Sequence, residues 1–393
     1  MFQRLQTSPR LELRAFFGLL ALGGLVVLAG LWAAHGMEEH GHVITGMNNQ
    51  IVWGLPHVFA IFMIVAASGV LNVASVGSVF GQPMYKARAP LSGLMSVALL
   101  AGGLMVLLLD LGRPERVIVA ATNYNLRSMF AWNVVLYSGL FTLVAIYMWT
   151  MLERRMHRWS KPAGIAAFIW RFILTTGTGS IFGFLVARQA YQSAVLAPMF
   201  IVLSLAWGLA LFLLAQWVVY RWNGRDLPEE VQRRLVRLLT VFISASLYLV
   251  AIYHGTNLYW ARQAAFERFI LLEGGGLTLL FWLGFVMVGS VLPLALLWLR
   301  SRCTMAVIVA CLGVVLGALA LLYVFIIGAQ VYPLDIFPGF TLQSTFMDGQ
   351  IDVYTPTLRE ALLGVGGLGM AFVLVVLGSR LFAVLPDDRH ASV

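Results

Sequence analysis

Ten stretches of roughly 20 apolar residues run through this 393-residue chain, each long enough to cross the ~30 Å hydrocarbon core of a bilayer as a helix. They lie near 15–34, 55–79, 91–109, 129–151, 163–187, 195–220, 236–256, 274–299, 304–328 and 361–384. The runs are continuous and do not alternate in period two, so barrel strands are not expected. A hydrocarbon interior offers no water to unpaired backbone groups, which leaves the helix as the fold available to them. Hydrophobic residues make up 60% of the chain and charged residues 11%, against about half and a quarter in soluble domains. The chain therefore reads as one all-α polytopic membrane domain over 1–393, with no sequence left for a soluble catalytic domain.

The formal net charge of +9 invites a nucleic-acid reading, but its distribution argues for topology instead. With the N-terminus in the cytoplasm, the outer segments hold seven of the 26 basic residues: Arg113, Arg116, Arg127, Arg188, Arg262, Arg268 and Arg359. Arg171 falls inside a span, and the remaining 18 are cytoplasmic, among them Arg154, Arg155, Arg158 and Lys161 in one loop and Arg221, Arg225, Arg233, Arg234 and Arg237 in another. Excess positive charge on one side sets the orientation N-in and C-in. The first apolar run exceeds a usual signal-peptide core, so a retained first helix is expected.

Several chemistries find no support. Cys303 and Cys311 are too few for an iron–sulfur cluster, which takes about four thiolates. No GxxxxGK[ST] motif occurs, and Gly274-Gly275-Gly276 lacks a strand–turn–helix setting, so ATP-driven transport is not expected. The outer segment 35–54 gathers His35, Glu38, Glu39, His40 and His42; the spacing would suit a metal, yet the Gly-rich context favours a solvated loop. The last outer segment, 329–360, carries Tyr332-Pro333, Phe337-Pro338 and Tyr354-Thr355-Pro356, which suits a loop packed at the membrane interface or on a partner.

Ionisable groups are costly inside a membrane, so their positions mark function. Here His57, Asp110, Arg113, Arg116, Arg188, His254, Glu267, Glu273 and Glu360 all fall near outward-facing helix ends. The densest element is Asp110-Leu111-Gly112-Arg113-Pro114-Glu115-Arg116, where Gly112 permits a left-handed cap and Pro114 ends the helix. It reads as a salt-bridged cap, or as an Asp110–Arg113 pair that tunes protonation, with Arg116 facing a docked partner. His57 starts the second span. His254 and Asn257 share a helical face beside Tyr253, a set that can bond a quinone carbonyl and pass it a proton, or serve as a plain aromatic belt. Thr357 and Glu360 have capping-box spacing. Arg171 is expected to snorkel to the cytoplasmic surface, followed by Thr175, Thr176, Thr178 and Ser180 as packing or path-lining residues. A membrane dihaem cytochrome needs four histidines, whereas only His57 and His254 lie near helix interiors, so two haems are excluded.

The order Trp53-Gly54-Leu55-Pro56, then Asp110-Leu111-Gly112-Arg113-Pro114, then Ser128-Met129 resembles the NrfD, or polysulfide reductase membrane subunit, family. Ten helices in place of eight are similar to its longer branch, which includes the hydrogenase-2 membrane subunit. Thr256-Asn257-Leu258-Tyr259, Phe281-Trp282-Leu283-Gly284 and the stretch Tyr354 to Glu360 resemble the DsrP subunit within that branch. The likeness spans about 50–385 and leaves helix one peripheral. It implies two four-helix bundles plus peripheral helices in a bacterial inner membrane, and no haem, cluster or metal held by this chain. It also implies a quinone site, for menaquinone or ubiquinone, near the outer face. Electrons would pass to or from an iron–sulfur subunit docked outside, with a multihaem cytochrome and further membrane or catalytic subunits as other partners, in sulfur-compound metabolism. The quinone site is expected from His57, Asp110, Arg113, Tyr253, His254, Asn257 and Glu360, with Arg113 holding the acid ionised and Asp110 or Glu360 moving the proton. Of the family's deeper charged residues only Arg171 has a counterpart, so proton pumping is not expected. A secondary transporter, with ionisable groups at the midplane on broken helices, and a purely structural anchor are the alternatives.

Overall fold

The computed structural model describes residues 13–334, 350–382 and 384; the expected Phe337-Pro338 pair lies outside them. Among the described residues there is no strand, and ten helices are long and apolar enough to cross a membrane. We number them α1 (Leu13–His40), α2 (Leu55–Val79), α3 (Ala89–Leu109), α4 (Met129–Leu152) and α5 (Ser160–Gly183). The remainder are α6 (Leu196–Trp222), α7 (Glu229–Tyr259), α8 (Gly276–Leu299), α9 (Thr304–Val331) and α10 (Leu358–Leu381). All ten expected spans are present. The largest difference is α7, which begins at Glu229 rather than near 236 because Glu229–Arg233 and Glu230–Arg234 pair one turn apart and extend the helix past its apolar run.

The helices form two four-membered rings. In the first, α2 packs on α3, α3 on α4, α4 on α5, and α5 returns to α2. In the second, α6 packs on α7, α7 on α8, α8 on α9, and α9 returns to α6. The rings join where α2 meets α6. There Gly69 and Gly208 face each other so closely that a β-carbon on either would enter the other helix's backbone. Lipid tails are as apolar as leucine, so close backbone approach, not hydrophobicity, holds such crossings. Outside the rings α1 lies antiparallel along α10, Gly30 against Gly366, and α10 in turn lies on α2 and α3. α2 is the central helix, buried along most of its length.

Three wide-turned π segments lie in the half that carries the second ring: Phe269–Glu273 in the connection from α7 to α8, Leu280–Val291 within α8, and Val324–Gly328 within α9. Such turns free carbonyls from the helix ladder and often accompany function. The Tyr191 hydroxyl donates to two carbonyls of the last one, those of Phe325 and Ile326, at 3.3 and 3.4 Å.

Arg171 departs from expectation. It is 1% exposed and turns inward from α5 instead of snorkelling. Its Nη2 donates to Asn72 Oδ1 of α2 at 2.8 Å. The guanidinium also lies over the Phe172 and Phe168 rings, 4.0 and 5.1 Å from their centroids. Ring faces supply negative potential where no carboxylate does. Thr175 and Thr178, expected as packing or path-lining residues, donate to the carbonyls of Arg171 and Leu174 one turn back.

Candidate functional site

The expected site residues lie at one rim of the bundle, but in three separate constellations. The first joins the start of α2 to the end of α3. α3 ends at Asp110, and Gly112 turns the chain away with φ +70°, as expected of a left-handed glycine. A β-carbon at Gly112 would come within 3.0 Å of the His42 ring. His57, in the first turn of α2, places Nδ1 2.6 Å from Asp110 Oδ2. The carboxylate is 1% exposed and the imidazole 15%. Beyond this contact neither Asp110 oxygen has a hydrogen-bond partner among the described residues, so the His57 imidazole is the one partner it has there. This corrects the expected Asp110–Arg113 pair. The left-handed turn sends Arg113 outward, where it is exposed and forms no ion pair among the described residues; Arg116 is exposed as well.

A polar clamp fixes the strand of chain that presents His57. The Gln330 side chain of α9 accepts from the Val52 and Trp53 amides at 2.9 and 3.0 Å and donates to the Trp53 carbonyl at 2.9 Å. Gln50 donates to the Gln330, Val331 and Gln350 carbonyls at 3.0–3.1 Å. Arg188 donates to the Gln50 carbonyl at 2.7 Å, and its burial lowers its pKa from the usual arginine value. The Trp53 ring stacks on His57 at 6.0 Å. Neither Gln50 nor Gln330 stands out as a site residue in the sequence, because a glutamine in a connecting segment carries no signal until its partners are known.

The second constellation joins α7 to the short helix Ala261–Arg268 that follows it. His254 Nδ1 lies 2.6 Å from Glu267 Oε2, and Asn257 Nδ2 donates to Glu267 Oε1 at 2.7 Å. His254 and Asn257 do share one face, as expected, and what they share it for is Glu267, which is fully buried. Tyr253 is committed elsewhere, its hydroxyl donating to the Ala190 carbonyl. The pocket beside this group is lined by Met199, Val250, Tyr253, His254, Phe266 and Phe325, among others, and has a volume of about 20 Å³. That is room for a water molecule and not for a quinone ring.

The third constellation is a cap. Glu360 Oε2 accepts from the Thr357 amide, the Thr357 hydroxyl and the Gly46 amide at 2.8–3.0 Å. Its Oε1 accepts from the Tyr354 hydroxyl at 2.6 Å, and that hydroxyl accepts from the Leu55 amide at 2.7 Å. The capping box read from Thr357 and Glu360 is thus present. With four donors on its two oxygens, the carboxylate anchors the start of α10 to the entry of α2.

The first two constellations are linked by a line of rings. Trp53 meets Phe182 at 5.8 Å, Phe182 meets Phe325 at 5.0 Å, Phe325 meets Tyr253 at 6.1 Å, and Tyr253 meets His254 at 4.9 Å. These edge-to-face contacts lock the two rings of helices at this rim. Elsewhere on it, His35 and Glu39 pair across one exposed turn at 3.3 Å. Among the described residues no three His, Cys, Asp or Glu side chains converge as metal ligands would.

Comparison with known proteins places this architecture. A family model described as "Polysulphide reductase, NrfD" matches residues 43–333, which takes in α2 to α9 and leaves α1 and α10 outside. The chain is 27% identical to the Hdr-like menaquinol oxidoreductase integral membrane subunit of Archaeoglobus fulgidus, over 95% of this chain and 94% of that one. It is 24% identical to a selenate reductase subunit of Mesobacillus selenatarsenatis, over 93% of each. It is also 24% identical to a polysulfide reductase chain of Wolinella succinogenes, over 63% of this chain and 83% of that one.

Proposed function

The chain belongs to the NrfD polysulphide reductase family, and on that premise we propose that it is the quinone-interacting membrane subunit of a multi-subunit oxidoreductase, with the quinone ring against His57 and Asp110. The observation that carries the assignment is the buried Asp110 carboxylate 2.6 Å from Nδ1 of a partly exposed histidine at a membrane rim. A buried acid whose one partner is a titratable imidazole is costly to keep in a membrane protein, and such pairs gather where charge has to change during function.

The geometry divides the work between the two side chains. Nδ1 of His57 is held by Asp110, which leaves Nε2 to bond a quinone oxygen. As a quinol gives up two electrons and two protons to become a quinone, each hydroxyl proton in turn passes to Nε2. The carboxylate stabilises the imidazolium so formed, and the proton leaves to water at the rim. In the reverse direction the same pair delivers protons to a quinone taking up electrons. Trp53, clamped by Gln330, stacks on the imidazole and sets its orientation.

The electrons travel to or from an iron–sulfur subunit docked on this rim, where the exposed Arg113 and Arg116 supply the contact. Two cysteines are too few for a cluster in this chain, so the redox centres are assigned to partners. The menaquinol named for the Archaeoglobus relative supports menaquinone as the substrate, and the polysulfide named for the Wolinella relative supports sulfur-compound metabolism. The positive-inside charge supports N-in and C-in, with this rim on the periplasmic side of a bacterial inner membrane.

The test is titration of the purified chain with a quinone analogue, with an optical spectrum of the same sample. Saturable binding, weakened at least about tenfold by His57→Ala, is expected, since a hydrogen bond to a charged group is worth about 1.5–3 kcal/mol. Absence of saturable binding would leave a structural anchor. Solute flux through liposomes holding the chain alone would point to a secondary transporter, and haem bands would move His57 and His254 to a different role.

A further inference from the structure

At the opposite rim, a recess of about 420 Å³ opens between the start of α7 and the end of α8. That size falls within the roughly 300–1,000 Å³ typical of ligand sites. From this recess we infer a second site, independent of the quinone assignment: it binds the headgroup of an anionic phospholipid.

Its floor is polar and mainly cationic. Glu229, Arg233 and Arg237 follow one another at four-residue intervals on α7, so they share one face. Across the recess α8 and the turn after it contribute Ser301 and Arg302. Glu229 is the one carboxylate there, and it is already used: it accepts from Arg233 at 3.1 Å and lies 3.7 Å from Arg302. Arg237, one turn deeper toward the membrane, is exposed and has no ion-pair partner among the described residues. Three guanidinium groups against one carboxylate leave a net positive cradle suited to a phosphate.

The wall changes character with depth. Above Arg237 the same face of α7 continues to Val241, which is 56% exposed, and α8 presents Trp298, which is 83% exposed. Val236 and Leu297 close the back of the groove. A tryptophan at this level is the ordinary marker of the headgroup boundary. Charge at the bottom and apolar surface above match a phosphate with acyl chains, and a soluble anion would have no use for the upper half. Basic recesses between helix ends are a recurring form of anionic-lipid site.

Native mass spectrometry of the full chain with defined lipids tests the assignment. The chain released from detergent is expected to retain one phosphatidylglycerol in preference to phosphatidylcholine of the same acyl chains. Arg237→Ala and Arg302→Ala should each lower that retention about fivefold. Arg155→Ala, at the same rim but outside the recess, should leave it unchanged and controls for general loss of charge. Excess inorganic phosphate should not displace the lipid. Equal retention of the two lipids, retention unaffected by both recess variants, or displacement by phosphate would each overturn the proposal, the last by showing a soluble-anion site.

Discussion

His57 opens α2 and Asp110 closes α3, and their side chains meet at 2.6 Å, joining a buried acid to a partly exposed imidazole at this rim. Asparagine has the shape of aspartate and its amide oxygen can still meet the His57 ring, so Asp110→Asn should fold and assemble, at a cost of about 1–3 kcal/mol for the lost pairing. It can no longer stabilise an imidazolium, however. Quinol-dependent electron transfer in the assembled complex should fall by roughly 10²-fold or more, the usual worth of positioned proton transfer. Assembly is read on a native gel of the same membranes. Full turnover in an assembled Asp110→Asn complex would remove Asp110 from the mechanism.

The His254–Glu267 pair makes the opposite prediction, although its geometry looks alike. Glu267 is fully buried and answers both His254 and Asn257, and its pocket admits no quinone ring. Glu267→Gln puts an amide N–H toward one of these two partners and leaves the buried set imperfectly matched. A loss of about 1–3 kcal/mol of stability follows, seen as a lower melting temperature of the purified chain. Affinity for a quinone analogue should stay within about twofold of the parent, whereas His57→Ala weakens it.

These two pairs show where sequence reading stops. Ten spans and one rich rim are legible because hydropathy and charge act residue by residue, with no partner needed. Asp110 is legible too, but its partner is not. Arg113 is close in sequence, whereas His57 reaches it only because α2 and α3 pack antiparallel. Glu267 stands out at the rim but not as part of the site, since nothing local ties it to His254. Arg171 reads as snorkelling because its depth is visible in the sequence while its face is not. Only packing on α2 shows that it turns to Asn72 and two phenylalanine rings. Glu360 is ambiguous between cap and acid, and the Tyr354 and Gly46 contacts that decide it come from outside its own helix.

Tyr354 offers a test by pH. Burial first, then the bond to Glu360, raises its phenol pKa above the ordinary value of 10.0. A folded-state pKa above the unfolded one adds stability that is complete below pH 10 and is lost as pH rises through the folded value. Tyr354→Phe removes this contribution and leaves the Leu55 amide and a Glu360 oxygen each short of a partner. The variant should melt lower at pH 7–9, by about 1–3 kcal/mol. Between pH 10 and 12 the gap to the parent should narrow, because only the parent has this stability to lose. A gap that is constant across the range would contradict the assignment. A purely anchoring role for Tyr354 and Glu360 predicts unchanged quinol turnover at pH 7 per folded molecule, and a loss of turnover would return Glu360 to the proton path.

The junction of the two helix rings can be tested with glycine substitutions. A β-carbon at Gly208 would meet the backbone of Gly69 and Val70, atoms that cannot move aside in the way the end of a flexible side chain does. Overpacking of this kind costs about 1–3 kcal/mol even where side chains yield. Gly208→Val should therefore part α6 from α2 and abolish accumulation of the full-length protein, measured by size-exclusion of a fluorescent fusion from solubilised membranes. Gly255, on exposed α7, has nothing within 4 Å of its would-be β-carbon, and alanine suits a helix better than glycine by about 1 kcal/mol. Gly255→Ala should accumulate at least as well as the parent. If Gly208→Val gives the same monodisperse peak, the rings are held by side-chain packing rather than by backbone contact at this crossing.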